Sequence, residues 1–547
     1  MSNNKKGGFM LQAAILAAAG LISRVIGLLY AVPLYQIIGE EGNGYYGTAY
    51  DIYFMILLIS TYSIPTAISK VISQRLAVEE YRNANKLFKC SLIYVLVVGS
   101  ITALVTFVFA PVLVINESVL CLRVMAPTIF FSGLLSVFRG YMQAHDTMVP
   151  TAVSQLIEQI LNAIVSVGAA YILTRPFVNS VDSSTLAVRG AAGSALGTGV
   201  GVVAGLIYML IIFYNNKQAI DEKIISDKTV NDESYKDLFK VILLIVTPVI
   251  MSTFIYNVST TVDMKLYWWM INSNGLEIRE ASRVYGIYSR QFLVLLNLPI
   301  AISSAMSSAL IPGISGAYSK GDIETVNHKL GQAVKTTMLI IIPAAVGMAV
   351  LSNPIMQLLF HGTNKGAGYA LSAGSAAIVF YAFSTITNGA LQAIGKVSAP
   401  VKNAAITLVV HVAFVAAGLF IFPNHTLRVL VAGSLVYSFL MCVFNGISIR
   451  KYLDFKLDKR KTFVMPLIAS IFMGVFANAS YFLTYKLMVA TIDKCSNLVA
   501  IAVSVLTSVF VYGVFVIKIG RYKEEDLSAL PKGRLIVKLA RGLKLLK

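Results

Sequence analysis

Charge is what this chain has least of. Only 13% of its 547 residues are Asp, Glu, Lys or Arg, against about a quarter in an ordinary soluble domain. With 57% hydrophobic residues and a mean hydropathy of +0.74, the apolar surface is more than a soluble fold can bury. Cysteine is equally scarce. Cys90, Cys121, Cys442 and Cys495 are dispersed, which excludes a disulfide framework and any metal or redox spacing. They read as small apolar fillers. No phosphate-binding loop is present either: "GTGVG" lacks the Gly-Lys-Ser/Thr ending and lies inside an apolar run. No long polar catalytic loop and no catalytic group is found, so the chain is not expected to be an enzyme. The net charge of +19 is spread over many short connections, so no basic patch for nucleic acid is formed.

What fills the chain instead is apolar runs of about twenty residues, the length that crosses a bilayer. The hydropathy pattern predicts an all-α polytopic membrane protein with fourteen transmembrane helices. They fall near 9–38, 45–69, 88–115, 122–143, 150–173, 188–214, 238–270, 284–312, 333–351, 369–394, 401–422, 427–449, 463–487 and 497–518. Placing the N-terminus in the cytoplasm puts most of the 45 Lys and Arg on the inner side, as the positive-inside rule requires. An even count with both termini inside follows. Lys5 and Lys6 precede an apolar run that resembles a signal peptide, but the run continues past Tyr30, too long for a signal's core. It is read as a retained first helix.

The segment 215–237, "NNKQAIDEKIISDKTVNDESYKD", is the one long polar connection, and it divides the chain. The expected organisation is a first lobe over 1–214, a cytoplasmic linker over 215–237, a second lobe over 238–449, two further helices over 450–518 and a basic tail over 519–547. In the tail, Leu535, Leu539, Leu543 and Leu546 share one helical face and Arg534, Lys538 and Arg541 another. That pattern predicts an interfacial helix on anionic lipid; the alternative is a disordered basic tail.

The two lobes carry an internal repeat. "IPTAIS" ends helix 2 and "IPGISG" ends helix 8; "RGYMQA" in helix 4 matches "NGALQA" in helix 10. Pro65 and Pro312, and Gly140 and Gly389, fall at nearly the same offset. A six-helix unit repeated in the same sense gives two lobes related by an axis along the membrane normal, with substrate sites between them. This favours a carrier over a membrane enzyme. Helix 6 carries Gly193, Gly197, Gly201 and Gly205 at spacing four, a face for close helix contact.

Polar groups within the spans are few. Arg24, in "GLISRVIGLLY", lies near the middle of helix 1, where an arginine costs about 2.5–3.5 kcal/mol on insertion scales. Helix 2 has Asp51, helix 5 a stripe of Gln155, Glu158, Gln159 and Asn162, helix 7 Asp263, helix 8 Arg290 and helix 11 Asn403 and His411. Arg139 ends helix 4, where it either snorkels to the inner surface or joins the site. His411 is read as a packed core histidine. Two readings of Arg24 stand: a structural pair with an acid such as Glu158, or a cation facing a wet cavity. Arg24 and Arg290, one from each lobe, would clamp an anion, and the planar guanidinium fork suits phosphate.

These residues resemble the MurJ-type lipid II flippases of the MOP superfamily, in their Firmicute YtgP/SpoVB-like branch. "SRVIG" is similar to that family's helix 1 signature and "YDIYF" to its Asp-centred helix 2 motif; "SVFRGYMQ", "MVPTAVSQLIEQ", "LNLPIAI", "NPIMQLLF" and "TITNGALQAIGK" look typical of the branch. The resemblance implies a central cationic cavity with Arg24, Asp51 and Arg290, to which the site reading adds Glu158, Gln155 and Arg139. It implies a groove for a polyprenyl tail on helices 13 and 14, and a cation site with Asp263 and Asn403 as candidates. It departs at Ser63-Ile64, where that family often has a further arginine. The expected substrate is an undecaprenyl-pyrophosphate-linked peptidoglycan precursor moved outward by alternating access in a bacterial plasma membrane. Another polyprenyl-linked repeat unit and a MATE-like drug antiporter are the alternatives. No cofactor is expected beyond coupling to the membrane potential or a monovalent cation. The expected partners are the lipid-linked glycan, membrane lipids and peptidoglycan-synthesis enzymes, with the chain itself a monomer and with no nucleic acid.

Overall fold

The computed structural model describes residues 2–62, 64–145, 147–175, 183–227, 233–489, 495–520, 537, 538 and 541. Among these the chain is helical throughout. The helices are α1 (Ser2–Leu57), α2 (Ile64–Ala77), α3 (Tyr81–Leu113), α4 (Asn116–Ala144), α5 (Val149–Thr174), α6 (Ser183–Ile225), α7 (Tyr235–Ser273), α8 (Ile278–Gly286), α9 (Leu293–Tyr318), α10 (Ile323–Val350), α11 (Ser352–Leu359), α12 (Lys365–Gly374), α13 (Ala376–Ala393), α14 (Ser398–Ile421), α15 (Thr426–Leu453), α16 (Met465–Val489) and α17 (Ser496–Gly520). Single π-helical turns sit at Leu58–Tyr62, Ile287–Phe292 and Arg460–Val464.

Eleven helical segments among the described residues are long and apolar enough to cross a membrane, twelve when the bent pair α12–α13 is taken as one span. The protein is therefore a multi-pass membrane protein. The fourteen expected spans differ from this number at two identifiable places. Ala18–Ser60 counts once, yet it contains Gly39 at φ 68° and ψ −173°, a conformation open to glycine and closed to other residues. α7 is 39 residues long but the side chains of 245–253 lie outside the described set.

At Gly39 the chain turns back. α5 and α6 are antiparallel: a Cβ on Gly193 would sit 2.9 Å from the Ala169 backbone, one on Gly205 3.3 Å from the Ser154 carbonyl, and ones on Gly197 and Gly201 would clash with Ser166 and the Glu158 carbonyl. The glycine stripe thus does what its spacing predicts. Along this pair, Gly27 lies beside Gln159, and Leu34 and Ile38 pack with Ala170 farther along α5. Gly42 then meets Ala187, and the Tyr46 hydroxyl reaches Thr198 farther along α6. The first half of α1 climbs one helix and the second half descends the other.

The chain forms two compact units, residues 1–290 with 415–423, and residues 291–414 with 424–547. In the first, the inner core gathers Ile72, Leu87, Phe138, Tyr141, Met209 and Leu238 from α2, α3, α4, α6 and α7. The repeat is visible inside each unit. A Cβ at Gly140 of α4 would come within 2.9 Å of the Pro65 backbone in α2; one at Gly389 of α13 would clash with Ser307 of α9, near Pro312. Each copy uses its glycine to bring the same two helices together. α6 runs eleven residues past the expected end of its span, so the first half of the 215–237 segment is helix and not linker. The connection from α6 to α7 is strapped down. Arg75 pairs with Glu233 through Nη2 (2.6 Å) and Nε (3.1 Å), the Glu233 N–H donates to Asn83 (3.1 Å), Lys86 donates to the Glu233 carbonyl (3.2 Å), and the Arg82 N–H donates to the buried Asp227 carboxylate (2.6 Å). In the second unit Asn445 is fully buried. It donates to Asn388 (2.7 Å) and accepts from Asn403 (2.8 Å), which also donates to Ser448 (2.9 Å). His411 is buried with Nδ1 3.0 Å from the Gly433 carbonyl, a packed histidine as its pattern suggests. Of the cysteines, Cys90 and Cys121 are buried, Cys442 is half-buried and Cys495 is exposed, so the filler reading does not extend to Cys495. Beyond Gly520 the basic tail falls outside the described residues except at 537, 538 and 541, where Val537 packs against the cluster of Leu339, Ala469, Val516 and Ile517.

Candidate functional site

Arg24 is exposed. Its stripe on α1 continues, at i+7 and i+11, through the buried Ala31 and Tyr35, whereas the exposed Ile22, Val25 and Leu29 occupy a different face. Because Gly27 lies beside Gln159, Arg24 stands about one turn lower, at the level of the half-buried Gln155 and Glu158. Glu158 itself is engaged by Arg139. The Arg139 Nη2 lies 2.8 Å from Glu158 Oε2 and its Nε donates to Ser154 Oγ at 2.8 Å, with the arginine side chain 14% exposed. Arg139 therefore points inward along α5 and does not reach for the surface, and it forms an ion pair with Glu158.

Asp51 and Arg290 occupy the second half of α1 and the π turn that follows α8. Small residues make the approach possible. A Cβ on Gly44 would clash with Ser282, one on Gly47 would clash with Ser289, and one on Gly286 would clash with the Glu40 carbonyl. With the backbones this close, the Tyr285 hydroxyl donates to Asp51 Oδ2 at 2.5 Å and Thr261 donates to the Asp51 carbonyl at 3.3 Å. Arg290 is half-buried and lies over two aromatic rings, 4.4 Å from the centroid of Tyr46 and 5.1 Å from that of Tyr50. Among the described residues no carboxylate comes within ion-pair distance of it. Closer to the Gly39 turn, the buried Glu41 accepts from Arg279 Nε (2.9 Å) and from the Tyr45 hydroxyl (3.0 Å), and Trp268 Nε1 donates to Thr48 (3.0 Å).

The residue pattern of polysaccharide biosynthesis proteins matches residues 11–317, more than half the chain. The chain belongs to that family. A MatE pattern matches 292–416. Among curated relatives, the chain is 26% identical over 424 residues to the lipid II flippase MurJ of Bacillus subtilis, covering 73% of this chain and 74% of that one. It is also 26% identical over 404 residues to stage V sporulation protein B of the same organism, covering 73% and 75%. Among solved structures, the lipid II flippase MurJ in an inward closed conformation aligns with a TM-score of 0.64 at 16% identity, over 91% of this chain and 98% of that one. The fold is that of the MOP superfamily.

Asp263, buried in the first unit, accepts from the Tyr288 hydroxyl at 3.3 Å. Asn403 belongs to the neutral amide network of the second unit, where the buried Thr407 hydroxyl one turn on has no partner. Among the described residues no cluster of three His, Cys, Asp or Glu could hold a metal. Sequence reasoning passed over Tyr46, Tyr50, Tyr285 and Glu41. The available signal was "EGNGYYGTAYD", which places aromatics at i and i+4 beside glycines on a helix that also carries an acid.

Proposed function

We propose that this protein is a flippase that carries a polyprenyl-pyrophosphate-linked glycan from the inner to the outer leaflet. The observation that carries the reading is Arg290, a cation kept inside the apolar part of the fold without a carboxylate partner among the described residues. A cation in that position is available to a phosphate, and Arg24, on the stripe of Ala31 and Tyr35, is the second arginine we assign to the site. Gln155 supplies a neutral hydrogen-bonding group at Arg24's level, and Glu158 and Arg139 keep α4 and α5 fixed beside it.

With both termini in the cytoplasm, the end of α1 that carries Glu41 and Thr48 faces outward. The bonds Arg279–Glu41, Trp268–Thr48 and Tyr285–Asp51 then close the outer side, and release of the head group requires them to break. The guanidinium forks take the pyrophosphate oxygens and shield them from the apolar surroundings while the tail stays in lipid. An inside-negative potential contributes about 2.3 kcal/mol per charge per 100 mV. It drives a bare anion outward; where the arginines neutralise the anion, it draws the empty cationic carrier back. No covalent bond changes, so no general acid or base is required.

Lipid II is the substrate we propose, on the relationship to MurJ. The family's polysaccharide description, and Ser63-Ile64 where a further arginine is common, favour a second reading in which the cargo is another polyprenyl-linked repeat unit. Translocation of labelled lipid II in vesicles, comparing wild type with Arg24→Ala and Arg290→Ala, tests the site: both variants are expected to lose most of the activity, and normal flipping by both would sink it. Rescue of cells depleted of their lipid II flippase separates the two cargoes.

A further inference from the structure

The rings that cover Arg290 are an unusual choice of partner for a cation inside a membrane protein. Most such cations are paired with acids. Here an acid is near, on the same helix as the rings, but Asp51 is occupied by the Tyr285 hydroxyl. The stem of Arg290 crosses Gly47, whose added Cβ would lie 3.4 Å from Arg290 Cγ, and this narrow passage delivers the guanidinium to Tyr46 and Tyr50. The two rings are stacked, 5.8 Å apart at 24°, and Phe54 continues the row from Tyr50 at 6.1 Å and 6°. Tyr46 is buried, with its hydroxyl 3.4 Å from Thr198, so its ring cannot swing away. Arg290 stands in a π-helical turn, a local insertion that re-aims side chains.

We propose that Tyr46 and Tyr50 are positioning residues that hold the Arg290 guanidinium by its flat face, so that its in-plane N–H fork stays free for the oxygens of a diphosphate. The inference rests on the reading of Arg290 as a substrate cation and names the device that makes it one. The chemistry separates two ways of holding an arginine. A carboxylate bonds the N–H edge and cancels the charge, which are the two properties a phosphate needs. An aromatic ring attracts the cation through its π face, leaves the charge in place and takes no N–H. The arrangement also discriminates against lysine, whose compact ammonium has neither a flat face nor a fork.

The test uses the full-length protein in lipid nanodiscs, with undecaprenyl pyrophosphate as the probe. Arg290→Ala is the reference for loss of binding. Tyr50→Leu is expected to weaken binding about tenfold, and the Tyr46→Leu, Tyr50→Leu double variant further. Tyr50→Phe keeps the ring face and is expected to restore binding to within about twofold of wild type. In the Arg290→Ala background, Tyr50→Leu is expected to have no further effect, an outcome a merely structural role would not produce. Thermal unfolding is followed in parallel, and Tyr50→Leu, half-buried, serves alone where the double variant does not fold. If Tyr50→Leu binds like wild type while Arg290→Ala does not, the clamp is overturned and the substrate reading stands. If Tyr50→Phe is as impaired as Tyr50→Leu, the hydroxyl and not the ring is at work, and the clamp is overturned. If Arg290→Ala binds like wild type, the substrate reading of this arginine fails and the clamp with it.

Discussion

Removing Arg279 should open the outer side more often. Arg279 Nε donates to Glu41 at 2.9 Å, and Glu41 is buried while the arginine side chain is 36% exposed. A hydrogen bond to a charged group contributes about 1.5–3 kcal/mol when sheltered, whereas exposed ion pairs contribute about 0.2–1 kcal/mol. One sheltered and one wet partner place the pair near the boundary, at about 1 kcal/mol. That is roughly a fivefold change in the ratio of open to closed molecules. The Tyr45 hydroxyl stays on Glu41 in the variant, so the carboxylate is not left bare and the estimate is not inflated by an orphaned charge. The assay uses a background without the four native cysteines and a single Ala49→Cys, a position with no exposure in the structure. A membrane-impermeant maleimide added outside should label this cysteine about five times faster when Arg279 is Ala. An unchanged or slower rate would refute the argument that this pair holds the outer side shut.

The Arg139–Glu158 pair supports a second expectation. Arg139→Gln and Glu158→Gln should each lower stability, by about 1–3 kcal/mol given that the pair is sheltered but not sealed, and the double variant should lose less than the sum, as read by thermal unfolding. Gly197→Leu should fail to reach the folded level of wild type, because its side chain would enter Ser166 on α5; size-exclusion profiles in detergent check this. At the start of α10, the exposed Asp322 carboxylate caps Thr325 N–H at 2.9 Å, and hydrogen bonding from the Thr325 side chain and from its N–H holds the Asp322 pKa below the usual carboxylate value. Its contribution is therefore present above the ordinary carboxylate pKa and is lost as pH falls through the lowered folded-state value. The stability difference between wild type and Asp322→Ala should shrink on acidification, and a difference that grows would reverse the sign.

The all-helical membrane class and the close-packing face of α6 were legible because hydropathy and glycine spacing report on local backbone environment. The ends were less so. The polar, flexible "GEEGNG" points to a second helix that begins at 45; the chain instead turns at Gly39, because Ser282 and Gly286 of α8 press against Gly44 and bury it. That contact lies over 230 residues away in sequence, and no window of hydropathy contains it. The pairing of Glu158 with Arg139 was hidden for the same reason: both are visibly costly in a membrane, but only the α4–α5 packing selects which cation meets which acid. Arg290 stands out by its cost, and the tyrosines that receive it do not, since "YYGTAY" also suits an ordinary apolar span.

The strapped connection after α6 carries a mechanical consequence. Ile224 and Asp227 on one side of it, and Glu233 and Tyr235 on the other, are all fastened to the stretch from Arg75 to Cys90. Leu238 and Ile242 of α7 are then buried in the same inner core. The root of α7 is in effect part of the frame formed by α2 and α3, and a tug on the far end of α7 is met at Glu233 and Tyr235. Any pivot for α7 has to lie within the helix beyond Ile242, so that a rigid crosslink across Glu233 and Arg75 should leave transport running while one placed farther up α7 should stall it.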